Sequence, residues 1–230
     1  MTLMARRGSY AKGVAKRNEI LHRALDVVAD HGFPNASVRE LAEAVDLSQA
    51  GLLHYFDSKD DLFTQILHAR DESDARHFSP GRPDDADGGN YFAHWTVDGP
   101  DQTFTTYLDV IEHNTHVPGL IELFARMEVR AADPANPAHE FFTDRNRNVQ
   151  STFVAAFHQL QAAGRMDPDV DVESLARILQ AVSDGLQLQR LLEPGLDMAG
   201  IVGLLIRLIV PDWDPQGSPS PMSSAEREDT

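Results

Sequence analysis

The chain has 230 residues, 42% of them hydrophobic, and carries 20 lysines and arginines against 36 aspartates and glutamates, a formal net charge of −16. It contains no cysteine, which excludes a disulfide framework, thiol catalysis and cysteine-ligated zinc and makes the reducing cytoplasm the default compartment. The nearest approach to a long apolar run is Ile201 to Val210, which Gly203 and Arg207 interrupt and which is too short to span a bilayer. The sequence therefore predicts a soluble globular protein with no membrane partner.

The charges are unevenly distributed along the chain. Residues 1–23 hold six basic residues and one acidic residue, whereas residues 71–230 hold 11 basic and 27 acidic residues. Such asymmetry is typical of a nucleic-acid-facing end attached to an acidic body. We therefore expect residues 1–11 to form a basic, flexible arm, and the alternative is a solvated tail that contacts no DNA.

The sequence pattern of the N-terminal part predicts four helices joined by short connections. The first extends from about residue 12 or 16 to residue 31, because its apolar residues recur at helical spacing. The next three begin at serines, since a serine at the N-cap accepts a hydrogen bond from a backbone N–H of the first turn. These N-caps are Ser37, Ser48 and Ser58. Ser37 is expected to form a capping box with Glu40, three residues later.

The second and third predicted helices are expected to form a helix-turn-helix. The third covers about residues 49–55, and the turn before it is Asp46-Leu47. Two short helices joined by three or four residues are the usual form of this motif. The fourth helix reaches about His77.

The rest of the chain alternates helical segments with Gly and Pro. Residues 79–100 are rich in Gly, Pro and Asp, so we expect a mobile surface loop there. Residues 211–230 are rich in Pro, Ser and acidic residues and are expected to be disordered. Further helices are predicted over about residues 102–115, 118–130, 137–163, 172–192 and 197–210.

The predicted fold is therefore all-α. A three-helix helix-turn-helix DNA-binding domain occupies residues 12–60, and a helical ligand-binding and dimerisation domain occupies residues 61–210.

Residues 17–62 resemble the N-terminal DNA-binding domain of the TetR family of bacterial transcriptional regulators. The family pattern places apolar pairs, a Gly-aromatic pair and helix-capping serines at fixed spacing through four helices. Two positions depart from it, since Asp46 stands where the family has Gly and Leu53 stands where it has a Tyr. The matching residues are Ile20-Leu21, Gly32-Phe33, Ser37, Leu41-Ala42, Leu47-Ser48, Leu52, Phe56, Ser58-Lys59 and Leu62.

The resemblance implies a homodimer that places one recognition helix per subunit in the major groove of a double-stranded DNA operator. Side chains expected to face base edges are Gln49, Ala50, Gly51 and His54. Side chains expected to contact phosphates or to position the helix there are Ser37, Arg39, Ser48, Tyr55 and Lys59. A pseudo-palindromic operator follows from the two-fold symmetry of such a dimer.

Two further sets of residues are predicted in the helical domain. Effector pockets are mostly apolar with few polar groups, so we expect a mostly apolar or aromatic small-molecule effector. The candidate pocket residues are Phe104, Leu108, Ile111, Glu112, His116, Phe124, Met127, Arg130, Phe142 and Gln187. The candidate dimer residues, on two apolar helices that would form an intermolecular four-helix bundle, are Leu175, Leu179, Val182, Leu186, Ile201, Leu205 and Leu208.

The sequence contains no pattern that predicts catalysis, a cofactor or a metal site. His113 and His116 lie near Glu112 at helical spacing, but no third or fourth ligand stands at a telling distance. Phosphate loops and nucleophile elbows are not recognisable. We therefore predict a ligand-responsive transcriptional repressor. The alternatives are a helix-turn-helix protein without an effector and a helical enzyme or carrier.

Overall fold

A computed structural model of the chain describes residues 15–27, 38–78, 92, 98–117 and 119–215. Every regular element in these ranges is an α-helix, which confirms the predicted all-α class. No helix within the same ranges is long and apolar enough to cross a bilayer. The helices are α1 (15–27), α2 (Val38–Ala44), α3 (Gln49–Leu53), α4 (Lys59–Phe78), α5 (Pro100–Thr115), α6 (Leu120–Ala131), α7 (Ala138–Ala162), α8 (Val172–Leu192) and α9 (Met198–Ile209).

The helix ends follow the capping signals in the sequence. α8 has the predicted bounds because the side chain of Asp171 accepts a hydrogen bond from the first turn. α5 begins two residues before the predicted position, since Pro100 occupies its first turn. α6 begins after Gly119, whose φ of 72° is left-handed. The predicted α6 start at Pro118 lies outside the described residues.

One hydrophobic core joins the N-terminal helices to the body. Leu52 of α3 packs in it together with Leu62 and Leu67 of α4, and it continues to Phe124 of α6 and Phe142 of α7. α4 therefore belongs to both parts of the molecule. The boundary predicted after residue 60 falls inside this packed unit.

A second core fills the space between α5, α7, α8 and α9. Phe104 of α5 is fully buried there, and its ring centroid lies 5.5 Å from that of Phe157 of α7. Leu179 of α8 and Val202 of α9 are also fully buried in this core. The first core contacts the N-terminal helices, and the second core packs the remaining helices of the body together.

Two segments predicted to be unstructured contain residues that are packed against the body. Phe92, inside the predicted loop, is buried, and its carbonyl accepts a hydrogen bond of 3.2 Å from Thr152 Oγ1. Trp213, inside the predicted tail, is 3% exposed and donates from Nε1 to the Asp101 carbonyl. Both predictions are corrected at these two positions, because each aromatic side chain is large enough to be buried against the helices.

Candidate DNA-binding surface and ligand cavity

The recognition helix α3 is held by its N-cap. Ser48 has extended backbone angles, and its Oγ accepts a hydrogen bond of 3.0 Å from the Gly51 N–H. A Cβ on Gly51 would lie 3.2 Å from that hydroxyl, so glycine preserves the cap. Leu52 is fully buried, and Phe56 is 5% exposed. This packing fixes which face of α3 remains exposed.

The turn before α3 closes α2 with a left-handed residue. Asp46 has φ 56°, the single positive φ among non-glycine residues of the described ranges. The Leu47 N–H donates to the Ala42 carbonyl at 2.9 Å, and the Asp46 N–H donates to Glu43 at 3.2 Å. These two bonds form a Schellman motif. Asp46 therefore takes the position that glycine fills in the family pattern.

The exposed face of α3 presents the predicted base-reading residues. Gln49, Ala50 and His54 are exposed, and Gly51 is half-buried. Their placement on one exposed, capped helix is compatible with entry into a major groove. Their individual base contacts stay predictions.

The residues predicted to contact phosphates differ in accessibility. Arg39 is exposed and lies 3.5 Å from Glu43, one turn away on α2. Lys59 is exposed at the start of α4, with Nζ 5.4 Å from the centroid of the Phe63 ring. Tyr55 is half-buried against the first core. Ser37 and residues 1–11 lie outside the described residues.

The N-terminus of α4, next to this surface, is bound by the body. Asp60 Oδ2 accepts hydrogen bonds from Arg130 Nε at 3.0 Å and Nη2 at 2.6 Å, and from Asn136 Nδ2 at 2.8 Å. Arg130 is in the last turn of α6, and Asn136 lies in the turn between α6 and α7. We call these three residues the Asp60 clamp. The Asp60 clamp joins the end of α6 and the α6–α7 turn directly to the first turn of α4, which begins at Lys59.

A cavity lies in the body between α4, α5, α6, α7 and α8. Its atom-free space is about 650 Å³, a figure that includes its open mouth and the adjoining solvent. Its apolar lining consists of Phe92, Val110, Ile111, Leu120, Ile121, Phe124, Val149 and Met198. Its polar lining consists of Arg70, Tyr107, Asn114, Arg145, Gln180, Ser183, Asp184 and Gln187.

Two arginines dominate the polar part of the cavity. The guanidinium of Arg145 lies between two aromatic rings, 5.3 Å from the centroid of Phe92 and 4.7 Å from that of Phe124. Arg145 Nε donates to Asp71 Oδ2 at 3.0 Å. Arg70 Nη2 lies 2.7 Å from the other oxygen of Asp71. A single buried carboxylate therefore bridges both cations.

Burial raises the pKa values of several acidic groups around these arginines. Burial, together with the nearby charge of Asp184, raises the pKa of Glu128 to about 7 against the opposing effect of Arg145. Burial likewise raises the pKa values of Asp184 and of Asp74. The pKa of Tyr107 rises to about 12 for the same reason, so its phenol stays protonated at neutral pH.

The predicted pocket residues separate into two groups. Three of them, Ile111, Phe124 and Gln187, line the cavity. Phe104, Met127 and Phe142 are buried in the two cores instead, because apolar residues on a helix look alike whether they face a cavity or a packed neighbour. Leu108 packs against the second core.

The remaining three predicted pocket residues lie outside the cavity lining. His116 is exposed, and its Nε2 lies 3.7 Å from Glu112, which is also exposed. Arg130 belongs to the Asp60 clamp. His113 faces Asp74 at 4.0 Å rather than His116. Among the described residues, no group of three or more potential metal ligands is close enough to hold an ion.

Sequence reasoning missed the buried arginines, although a signal was present. Arg70 follows Ile66 and Leu67 on the same face of α4, and Arg145 lies between Phe142 and Val149 on one face of α7. A charged residue that continues an apolar helical stripe must be buried or paired. This pattern indicates a polar site inside the core.

The dimer residues predicted on α8 are buried or partly buried within their own chain, and their role in a dimer stays a prediction. Leu179 is fully buried, Leu186 is 6% exposed, and Leu175 and Val182 pack partly against the second core. On α9, Leu205 is partly buried, whereas Ile201 and Leu208 are exposed. The exposed apolar surface, which we call the α8–α9 face, consists of Ile178, Leu188, Leu191, Leu192, Ile201, Leu204 and Leu208.

Comparisons with known proteins agree with this architecture. The profile of the bacterial regulatory proteins of the tetR family matches residues 20–66, and that of the C-terminal part of BetI-type transcriptional repressors matches residues 125–209. The chain belongs to the TetR family. The first match covers α2 and α3, so this TetR-family protein is a helix-turn-helix DNA-binding regulator of transcription.

Individual relatives of this TetR-family chain are transcriptional repressors. The repressor KstR2 of Mycolicibacterium smegmatis is 24% identical over 177 residues, which cover 72% of this chain and 75% of that protein. The repressor AcnR of Corynebacterium jeikeium is 24% identical over 172 residues, 74% of this chain and 79% of that protein. Family and relatives are regulators and not enzymes.

Solved structures support the same fold. A TetR transcription regulator from Haloarcula marismortui superposes with a TM-score of 0.64 at 18% identity, covering 86% of this chain and 97% of that one. At this identity the likeness shows the fold alone.

Proposed function

We propose that this TetR-family protein is a cytoplasmic repressor that binds a pseudo-palindromic operator as a homodimer and leaves it when a small effector occupies the cavity. The observation that carries the proposal is the double role of α4. Its N-terminus holds Asp60 beside the recognition helix, and Arg70 lines the cavity ten residues later. At 1.5 Å per residue these positions are about 15 Å apart on one rigid helix.

A repressor is favoured over an activator by the relatives. KstR2 and AcnR, which align with more than two thirds of this chain, are both transcriptional repressors. Repression by an operator-bound dimer requires no further contact with other proteins, because occupancy of the DNA itself blocks access.

The α8–α9 face supports a homodimer. Leu188 is 53% exposed and Leu208 is 71% exposed, on adjacent helices. A helix that is apolar on its outer face as well as its inner face must be covered on both sides. Two copies of α8 and α9 would cover each other as a four-helix bundle. The dimer then sets the spacing of the two recognition helices at about 34–36 Å or a multiple of it.

The cavity and the Asp60 clamp support control by an effector. Phe124 of α6 lines the cavity, and Arg130 lies less than two turns later on the same helix, where it binds Asp60. A ligand that shifts α6 or α4 therefore changes how the N-terminus of α4 and the adjacent α3 are held. Because coupling is reciprocal, operator DNA must weaken the binding of such a ligand.

The test is an operator-binding titration in the presence of small molecules. A labelled duplex recovered by selection from random DNA is titrated with the full chain, followed by fluorescence anisotropy. We expect one dimer per inverted repeat, and release of the duplex by cavity ligands. A variant with the cavity filled, Ile121→Trp, should bind the duplex but resist release.

The alternative without an effector predicts a different result. Every compound that binds the cavity would then leave operator affinity unchanged, and Ile121→Trp would behave as the wild type in both assays. Failure to bind any duplex would overturn the operator proposal itself.

A further inference from the structure

The cavity contains buried polar atoms that lack hydrogen-bond partners. Within the described part of the chain these atoms are Arg70 Nε and Nη2, Asn114 Oδ1 and Gln180 Oε1, and all three residues line the cavity. Arg70 and Gln180 are 7% and 6% exposed. Buried polar groups are almost always hydrogen-bonded, because an unmet one costs free energy. Their position on the cavity wall indicates a ligand that meets them.

The orientation of each group follows from its other contacts. Asn114 Nδ2 donates to Asp74 Oδ2 at 3.3 Å, which leaves the amide oxygen without a partner. Gln180 Nε2 donates to Asn146 Oδ1 at 2.9 Å, which leaves Oε1. Arg70 Nε lies 3.9 Å from Asp74, beyond hydrogen-bond distance. The cavity therefore offers two donor nitrogens, both on Arg70, and two acceptor oxygens.

The charges around the cavity disfavour an anionic ligand. Arg70 and Arg145 share Asp71, as described above. Asp184 lines the cavity, Asp74 lies 3.9 Å from Arg70 Nε, and Glu128 is close enough to interact with the charges of Asp184 and Arg145. Carboxyl groups near the arginines thus outnumber them, and burial already raises the pKa values of several. A further negative charge would be repelled by these carboxylates, and both guanidinium groups are already paired with Asp71.

A cationic ligand is disfavoured by the lining itself. The aromatic faces that hold organic cations in other proteins are taken here by Arg145, which lies between Phe92 and Phe124. Arg70 also lies over Phe124, with its guanidinium 5.6 Å from the ring centroid. A second cation would meet both guanidinium groups.

We propose that the effector is an uncharged molecule with an apolar or aromatic body and a polar end that carries both a hydrogen-bond acceptor and hydrogen-bond donors. Its acceptor binds Arg70 Nε and Nη2, and its donors bind the side-chain oxygens of Asn114 and Gln180. A primary amide supplies a carbonyl oxygen with two lone pairs, which can accept from both unmet nitrogens of Arg70, and two N–H donors for the two oxygens. This inference rests on the proposed function, since it concerns the same cavity.

The experiment uses four probes that share one phenylpropyl body. They are 3-phenylpropanamide, 3-phenylpropanoate, 3-phenylpropylamine, which is protonated at pH 7.5, and propylbenzene. Binding to the full chain is measured by titration calorimetry. We expect the amide to bind at least about tenfold more tightly than each of the other three, since a site with buried polar groups rejects analogues that leave them unmet.

A pair of matched variants locates the contact. Gln180→Leu keeps the side-chain volume and should weaken amide binding by about tenfold while leaving propylbenzene binding unchanged. Gln189→Leu, at an exposed position of the same helix, should change neither. The wild-type probe series alone decides the ligand class if Gln180→Leu proves unstable.

Three outcomes would overturn the proposed ligand class. They are equal or tighter binding of a charged probe, equal binding of propylbenzene, and no binding of the amide at 10 mM. Release of the labelled operator duplex is measured separately. Amide binding without release of the duplex would support the ligand class and contradict the effector role. Release of the duplex by a charged probe would support the effector role and contradict the ligand class.

Discussion

Arg130 and Asp60 are 70 residues apart in sequence and joined by two hydrogen bonds, from Nε at 3.0 Å and from Nη2 at 2.6 Å. Through this pair the last turn of α6, a helix whose earlier turns line the cavity, binds the first turn of α4. Asn136 adds a third bond to the same oxygen. The pair is the shortest direct polar link between the body and the DNA-binding surface that the contacts above define.

Removal of Arg130 should therefore loosen the DNA-binding surface. We expect Arg130→Gln to weaken operator binding by about threefold to tenfold, since a partly exposed charge-assisted pair contributes roughly 0.5–1.5 kcal/mol. The matched control is Arg126→Gln, which breaks the 2.6 Å bridge to Glu122 within α6. Equal effects of the two variants in an anisotropy titration would refute the coupling role of the Asp60 clamp.

The α8–α9 face should be required for dimerisation. Leu208→Glu places a charge in the middle of the proposed four-helix bundle, and we expect monomers in sedimentation velocity and loss of operator binding. Val129→Glu makes the same change at a position of α6 that is 73% exposed and should remain dimeric. If Leu208→Glu also sedimented as a folded dimer, another surface would form the interface.

Much of the fold could be predicted from local signals, because capping residues act on their own turn. Ser48 and Ser58 accept the expected bonds from Gly51 and Asp61. Asp61 Oδ2 in turn accepts from the Asp57 N–H. Such contacts span a few residues, so the sequence alone locates them.

Choices between two similar helical faces could not be predicted. In α8, Leu179 is buried while its neighbour Ile178 is 51% exposed, and both belong to apolar stripes of helical spacing. Which stripe faces the same chain depends on the positions of α5, α7 and α9. The same limit explains why Trp213 was assigned to a disordered tail, since its pocket forms only from distant segments.

Glu128 should make stability depend on pH. Its pKa of about 7 in the folded protein exceeds the value of about 4.3 for an unperturbed glutamate. The folded state therefore binds the proton more tightly, and stability from this group falls as pH rises from about 4.3 to 7. At pH 8, Glu128→Gln should raise the free energy of unfolding by on the order of 1 kcal/mol, discounted for partial exposure.

The control for this prediction is the same comparison of wild type and Glu128→Gln at low pH. At pH 4.5 most Glu128 is protonated in the folded state, so the two proteins should unfold at nearly the same urea concentration. A constant difference between wild type and Glu128→Gln from pH 4.5 to pH 8 would contradict the assigned titration.

The left-handed turn should tolerate glycine and reject a β-branched residue. Asp46→Gly restores the residue type of the family pattern and should leave stability unchanged or raised by about 0.5 kcal/mol. Asp46→Val should lower the free energy of unfolding by about 1–2 kcal/mol, because a left-handed φ brings its Cβ against the backbone. Urea unfolding of the two variants measures both values. If Val were as stable as Gly, the turn in solution would differ from the φ of 56° described here.

The central claim is that α3 reads a symmetric operator, and selection of bound sequences from random duplex DNA tests it most directly. The wild type should recover an inverted repeat whose half-site centres lie about 34–36 Å or a multiple apart. Gln49→Ala should change the preferred base at one position in each half-site, whereas Lys59→Ala should keep the preference and weaken all sequences alike. Recovery of no repeat, or a changed base preference with Lys59→Ala and an unchanged one with Gln49→Ala, would contradict the account.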